Sequence, residues 1–420
     1  MIWLLLFHVV FFWGIYTSPM KMATSELLST FFPTWLNGGK RDSYWLNPNS
    51  HPVLSRYYPV QLCRYVSNKR KIDVAFSSFL YCTLLHYLFS NVGWYLLLGA
   101  TPLAIFGSIT FTYCAFNLKQ QPCIVYTLSW FPWLLYGLST NSIPFSSIAI
   151  GMMLLGGYYP VAVYLIPTAA LLWFGATSTV SMAIGLLIAS PQIIPFIKYL
   201  PKTIRGKVEA PSSSAVENQW YFGLTPIILI LWAPKWAYLV LLVPFLAMFI
   251  KSSLFRVPQR AIVLSLYGAI WFSLGVLNTL SNEAILFLTC IQAFDLWLHN
   301  RNLLPPKPFS ELWKKPSRAF NNKLTQFLDR NLNGGRVSGL PHPLFTGLVN
   351  GHKTMGYCGS MQNNLMWKWR KSFKHDPFID GVDQDAITRY GVKFSFSYKK
   401  LDWKPTGIRN LYYNPNYTGC

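Results

Sequence analysis

Residues 74–117 read VAFSSFLYCTLLHYLFSNVGWYLLLGATPLAIFGSITFTYCAFN and contain no Asp, Glu, Lys or Arg. Their apolar residues fall on every face of a helix, the pattern of a helix covered on all sides by protein or lipid. About 20 such residues cross a bilayer, so the segment holds two spans. The same texture continues to His299. Spans are predicted over 74–93, 95–117, 122–140, 143–156, 158–176, 178–198, 220–233, 236–250, 261–280 and 283–299. Pro234 and Lys235 interrupt the 220–250 stretch, which reads as a helical hairpin or as one broken helix. Residues 1–16 (MIWLLLFHVVFFWGIY) lack the basic start and small-residue cleavage site of a signal peptide, so they read as a short first span. The expected fold class is mainly α: a polytopic transmembrane helix bundle of ten or eleven spans with a small, partly β C-terminal soluble domain.

Composition agrees with this reading. Of 420 residues, 52% are hydrophobic, 17% aromatic and 12% charged. Soluble domains carry about twice that charge. Lys and Arg number 36 against 14 acids, a formal net charge of +22. A disordered chain would be poorer in aromatics. A soluble nucleic-acid binder could match the charge but not the apolar content. The seven cysteines are scattered and form no CxxC pair, so neither a zinc site nor a thioredoxin-like motif is indicated. A Cys358–Cys420 disulfide is one option.

Three regions follow. Residues 1–299 form the transmembrane domain, with a long first loop over 17–73. That loop holds eight basic residues and three acids, Glu26, Asp42 and Asp73. A connection this long is functional or disordered, and its aromatic content favours function. Residues 300–330 form a linker, and 303–325 within them read as a solvated segment or as an amphipathic helix on the lipid surface. Trp313 beside Lys314 and Lys315 suits an interface. Residues 331–420 form a soluble α+β domain. In it Val392–Tyr398 alternates apolar and polar residues at strand period, and Gly334-Gly335 reads as a turn.

With eleven spans, the first loop and the tail share one side. The loops of the opposite side carry almost no Lys or Arg beyond Lys235. The positive-inside rule alone places the basic side in the cytoplasm.

Residues able to carry chemistry are few. No acid occurs from Val74 to Val208. Asp295 and His299, four residues apart, share a helical face. They read either as a functional pair or as the interfacial end of a span. No HExxH, Walker loop, GxSxG or dinucleotide fingerprint is present.

The first loop runs Ser25-Glu26, Phe32-Pro33, Asn37-Gly38, Trp45-Leu46-Asn47-Pro48, His51-Pro52 and Tyr57-Tyr58-Pro59. This order resembles the first external loop of YfhO-like bacterial membrane proteins of the GT-C glycosyltransferase superfamily. Pro191-Gln192 with Tyr199-Leu200-Pro201 and Arg205 is similar to a helix end of that family. Arg336-Val337, Asn350, Gly356-Tyr357 and Arg389–Phe394 are similar to its external C-terminal domain. The resemblance covers most of the chain in order, although typical members are longer.

The resemblance implies transfer of a sugar from a polyprenyl-phosphate carrier to a cell-envelope acceptor, in the bacterial cytoplasmic membrane. The first loop and tail would then lie on the outer face. Glu26 stands at the position of the family's acid, more often Asp, which acts as base or binds a metal, so the cofactor is open and a divalent cation is one option. A carboxylate can take the acceptor's proton as it attacks the anomeric carbon. Basic residues can stabilise the leaving phosphate. Lys21, Lys40, Arg41, Arg56, Lys202 and Arg205 are the candidate phosphate partners. The expected partners are the lipid bilayer and a polyprenyl-phosphate-linked sugar, with no nucleic acid. Many GT-C enzymes use a second acid in a later loop of the first half, where this sequence has none. The non-catalytic alternative is lipid-carrier binding, in a flippase-like or scaffolding role.

Overall fold

The computed structural model describes residues 1–17, 32–36, 57–60, 62, 72–118, 122–157, 159–199, 221–235, 238, 242, 262–300, 321–338, 340, 392–397, 401 and 403–417. The described chain is mainly helical. Helices α1 (Ile2–Thr17), α2 (Phe32–Leu36), α3 (Ile72–Leu97), α4 (Pro102–Tyr113), α5 (Ala115–Leu118), α6 (Pro122–Ser129) and α7 (Phe131–Ser139) come first. Then follow α8 (Ile143–Leu155), α9 (Tyr159–Leu172), α10 (Ala176–Tyr199), α11 (Leu224–Leu229), α12 (Ile262–Leu277) and α13 (Asn282–Asn300). Among the described residues, two helices are long and apolar enough to cross a membrane, Ile72–Leu97 and Ala176–Lys198. At 1.5 Å per residue α3 is about 39 Å long. Five further apolar helices are shorter.

The helix positions follow the apolar runs, and the ends differ where Gly and Pro intervene. The predicted break at residue 94 moves to 98–101. There Gly99 (φ 84°) and Ala100 (φ 58°) turn the chain, and Thr101 caps α4 by accepting from the Ala104 N–H. Trp94 therefore lies inside α3, fully buried, and stacks on Phe111 with centroids 3.8 Å apart. The predicted span 95–117 divides again at Cys114, whose backbone is extended (φ −62°, ψ 152°). The predicted span 122–140 divides at Trp130, because Pro132 has no N–H to donate to the Leu128 carbonyl and carry the ladder on. The predicted span 220–233 shortens to α11 and a 3-10 turn at Ile230–Trp232. It ends where Ala233 becomes extended before Pro234.

Close packing uses small residues. Helices α8 and α10 pair through Gly151 and Gly185. A Cβ on Gly185 would lie 2.5 Å from Ile150 Cγ2, and one on Gly151 would lie 2.7 Å from Ile188 Cγ2. Small residues let helix backbones approach closely. Elsewhere large apolar side chains face outward, among them Phe174 at 84% exposed, Trp232 at 77% and Leu187 at 72%. Large apolar side chains exposed in this number suit contact with lipid or another apolar surface.

The tail forms a four-stranded sheet of order β1-β2-β4-β3. Its strands are β1 (Arg336–Ser338), β2 (Val392–Phe396), β3 (Lys404–Pro405) and β4 (Leu411–Tyr413). The strand expected over 392–398 is β2, parallel to β1 and antiparallel to β4. The Gly334-Gly335 turn forms, with Asn333 (φ 43°) and Gly334 (φ 80°) left-handed. An amphipathic helix, α14, spans Lys323–Asn331 with a capping box of Asn322 and Thr325. Its apolar side packs on the sheet: Phe327 meets Phe394 edge-on at 5.5 Å, and Leu328 is buried. The Cys358–Cys420 pairing and the segment 303–320 lie outside the described residues.

Candidate functional site

All the charged candidates of the first loop and the 198–219 loop lie outside the described residues: Glu26, Lys21, Lys40, Arg41, Arg56, Lys202 and Arg205. Their described neighbours in the chain show where these connections start and finish.

The first loop is docked on the bundle by aromatic residues. Phe32 and Trp35 of α2 are buried against α3, with Phe32 edge-on to Phe76 at 5.1 Å and Trp35 5.3 Å from Phe79. The Trp35 indole N–H donates to the Val60 carbonyl at 3.1 Å. Tyr58, from the Tyr57-Tyr58-Pro59 motif, is 2% exposed and stacks on Tyr126 of α6.

Tyr58 then makes two short hydrogen bonds. Its hydroxyl lies 2.7 Å from His86 Nε2, and the Trp130 indole N–H donates to it at 2.7 Å. The Cys82 carbonyl lies 2.6 Å from His86 Nδ1. A carbonyl only accepts, so Nδ1 carries the hydrogen. His86 Nε2 therefore accepts from Tyr58. Burial pushes the Tyr58 phenol well above the usual tyrosine range, against the opposing pull of the Trp130 N–H. The phenol thus stays neutral and donates.

A second polar group lies on the other side of α3. His8 of α1 is 1% exposed, and each ring nitrogen meets a phenol at 2.9 Å, Tyr113 on Nδ1 and Tyr16 on Nε2. The Tyr87 hydroxyl donates to the Asn117 carbonyl at 2.9 Å, and the Tyr267 hydroxyl donates to Asn117 Oδ1 at 3.2 Å. Asn300, at the end of α13, donates to the Tyr113 carbonyl at 2.8 Å. A small cavity between the two groups is lined by His86, Tyr87, Ser90, Thr112, Asn117 and Ser129, among others.

Asp295 and His299 do share a face of α13, and both hold Tyr221. The Tyr221 hydroxyl donates to the Asp295 carboxylate at 2.6 Å, and the Leu224 N–H donates to the same carboxylate at 2.8 Å. The His299 ring lies on the Tyr221 ring, centroids 3.9 Å apart. The carboxylate thus fixes the entry to α11.

These contacts gather chain ends. The Tyr81 hydroxyl donates to the Tyr16 carbonyl, joining the end of α1 to α3. The Ala115 N–H donates to the Tyr221 carbonyl, joining the end of α4 to the approach to α11. Hence three connections begin or finish at one end of the bundle: the first loop, the 119–121 link and the 200–220 segment. In sequence they carry all seven charged candidates.

Gln192 of the Pro191-Gln192 motif is buried at 2%, and its amide nitrogen donates to the Leu154 and Leu155 carbonyls at 3.2 Å. It ties α10 to the end of α8. Among the described residues no group of three or more His, Cys, Asp or Glu is placed to hold a metal ion. Glu26, to which the divalent-cation expectation attaches, is outside them.

Of the residues in the two polar groups, the sequence motifs include Tyr58, in Tyr57-Tyr58-Pro59, and do not include His86, Trp130, Tyr113 or Asn117. One signal was available: His86 stands alone in a span without charges. No family model, no curated protein and no solved structure matches this chain.

Proposed function

We propose that this chain is a multi-pass membrane protein whose basic-loop end binds an anionic polyprenyl-phosphate carrier and transfers its sugar to a cell-envelope acceptor. The observation that carries the reading is the convergence of three basic connections on one bundle end, with the first loop docked there through Tyr58, His86 and Trp130. The outward apolar side chains of α10, α11 and α13 support lipid contact. In this reading Glu26 takes the acceptor's proton. Lys21, Arg41, Arg56, Lys202 and Arg205 neutralise the lipid phosphate as it leaves. The basic side then faces outward and serves the substrate rather than topology.

The test is Glu26→Gln in the purified full-length protein, reading consumption of a lipid-linked sugar. Turnover should fall by about 10²-fold or more, the usual scale for a general base. Unchanged turnover removes Glu26 from the mechanism. Activity of a cytoplasm-only reporter fused at residue 420 would overturn the outward orientation.

A second reading has its own support. No acid occurs from Val74 to Val208, where many GT-C enzymes carry a second one, and this favours a non-catalytic, carrier-binding role. It expects carrier binding without transfer, so sugar transfer by the purified protein excludes it.

A further inference from the structure

The cavity between His86 and Asn117 has room for about one water molecule. Four helices meet at it: α3 with Tyr87 and Ser90, α4 with Thr112, α5 with Asn117 and α6 with Ser129. Thr112 is 1% exposed, and its hydroxyl has no partner. Two other helical threonines of this bundle turn back on the preceding turn. Thr83 donates to the Phe79 carbonyl at 3.1 Å and Thr110 to the Phe106 carbonyl at 2.8 Å. Thr112 has the same option at Ser108 and does not use it. A buried hydroxyl left without a partner is disfavoured, and buried polar groups find a protein or water partner.

The wall offers what a water needs. Tyr87 spends its proton on the Asn117 carbonyl, and Ser129 spends its own on the Tyr126 carbonyl at 3.0 Å. Both oxygens keep lone pairs that accept. The Asn117 amide gives one hydrogen to the Phe111 carbonyl and has a second to give. Buried waters make about three hydrogen bonds, and these partners supply that number.

We propose that this cavity is a binding site for a single structural water, held by Thr112 Oγ1 with Tyr87, Ser129 and Asn117. The water joins α3, α4, α5 and α6 where the Cys114 kink interrupts the α4–α5 hydrogen-bond ladder. The site lies directly behind the His86–Tyr58 pair, so the docked first loop and the Tyr87–Asn117–Tyr267 network share one hydrogen-bonded wall. The site requires no sugar transfer by the protein.

The experiment uses the full-length protein in lipid nanodiscs. Infrared difference spectra between H2-16O and H2-18O read the O–H stretch of a confined water. The native protein should show an isotope-shifted band that is lost in Thr112→Val and retained in Thr112→Ser. Val125 also lines the cavity, and Val125→Leu fills it while leaving its polar groups in place. It should also lose the band, and it serves where Thr112→Val does not fold. Thermal unfolding gives a second reading of opposite sign for a wet and a dry cavity. With water present, Thr112→Val lowers Tm. With a dry cavity the same change removes an unpaired hydroxyl and leaves Tm unchanged or higher. A band that survives both variants, or a Tm that does not fall, overturns the proposal. A Tm gain on adding Na⁺ that Thr112→Val abolishes also overturns it and assigns the cavity to an ion.

Discussion

Tyr58 and His86 are 28 residues apart in the chain and meet at 2.7 Å between the phenol and Nε2. The contact turns a long polar loop into part of the bundle, because Tyr58 also accepts from the Trp130 indole. Tyr58→Phe keeps the ring and its stacking on Tyr126, and it removes the partner of two half-buried polar groups, His86 Nε2 and the Trp130 indole N–H. A net loss of about 1 kcal/mol per hydrogen bond is expected. The expected result is a lower Tm and faster proteolysis of the first loop, read by limited digestion in nanodiscs.

The same pair sets a pH limit. The Tyr58 phenol holds its proton more tightly in the fold than in the unfolded chain, where its ordinary value is 10.0. Its contribution is therefore complete below pH 10.0 and is lost as pH climbs through the raised value of the folded state. First-loop digestion should be constant from neutral pH to the unfolded value of 10.0 and accelerate as pH climbs beyond it. In Tyr58→Phe this alkaline acceleration should be absent.

Ser338 of β1 and Ser395 of β2 hydrogen-bond at 2.9 Å inside the tail, and both are buried. Removing one hydroxyl strands the other, whereas removing both leaves nothing unpaired. Ser338→Ala should destabilise the tail by about 1 kcal/mol. The Ser338→Ala, Ser395→Ala double variant should cost no more than the single one. Hydrogen exchange of the β2 amides measures both. A double variant whose loss equals two independent losses would show that the bond is not coupled.

The helices were legible because their cause is local. Uncharged apolar runs mark where the helices lie, whereas the turn at Gly99-Ala100-Thr101-Pro102 falls inside the predicted span 95–117. Trp94 was misplaced in a loop because helix ends shift by a few residues. Its stacking on Phe111, 17 residues away, is invisible to any local pattern. The polar network was not legible for a related reason. Tyr58, His86 and Trp130 are neutral, far apart in sequence and joined only by packing. The charged residues that attracted notice lie in connections whose joint origin at one bundle end is a property of the fold.

Asp295 accepts from both the Tyr221 hydroxyl and the Leu224 N–H, so it orients the entry to α11. Hydrogen bonds to a charged group contribute about 1.5–3 kcal/mol. Asp295→Ala removes both acceptors and frees the His299–Tyr221 stack from its anchor. A fall in Tm is expected, with faster labelling of an otherwise silent cysteine introduced at Thr225, which is buried at 6% exposure. Asp295→Asn retains one acceptor oxygen, so its fall should be smaller.

Gly185 and Gly275 separate packing from propensity. Both are helical glycines, and replacing either by Ala gains about 1 kcal/mol of helix propensity. At Gly275 nothing lies within 4 Å of the new Cβ. At Gly185 the methyl would lie 2.5 Å from Ile150 Cγ2 and 2.6 Å from Ile150 Cβ. Ile150 is β-branched and has little rotamer freedom in a helix, so it cannot swing aside. Overpacking of this kind costs about 1–3 kcal/mol, which exceeds the propensity gain. Gly275→Ala should therefore raise Tm or leave it unchanged, while Gly185→Ala should lower it. Gly151→Ala, whose methyl would meet Ile188 across the same interface, should lower it too. Ile150→Val removes only Cδ1 and keeps the obstructing Cβ and Cγ2, so combining it with Gly185→Ala should recover none of the loss. If Gly185→Ala and Gly275→Ala shift Tm equally, the α8–α10 contact is looser than this packing requires.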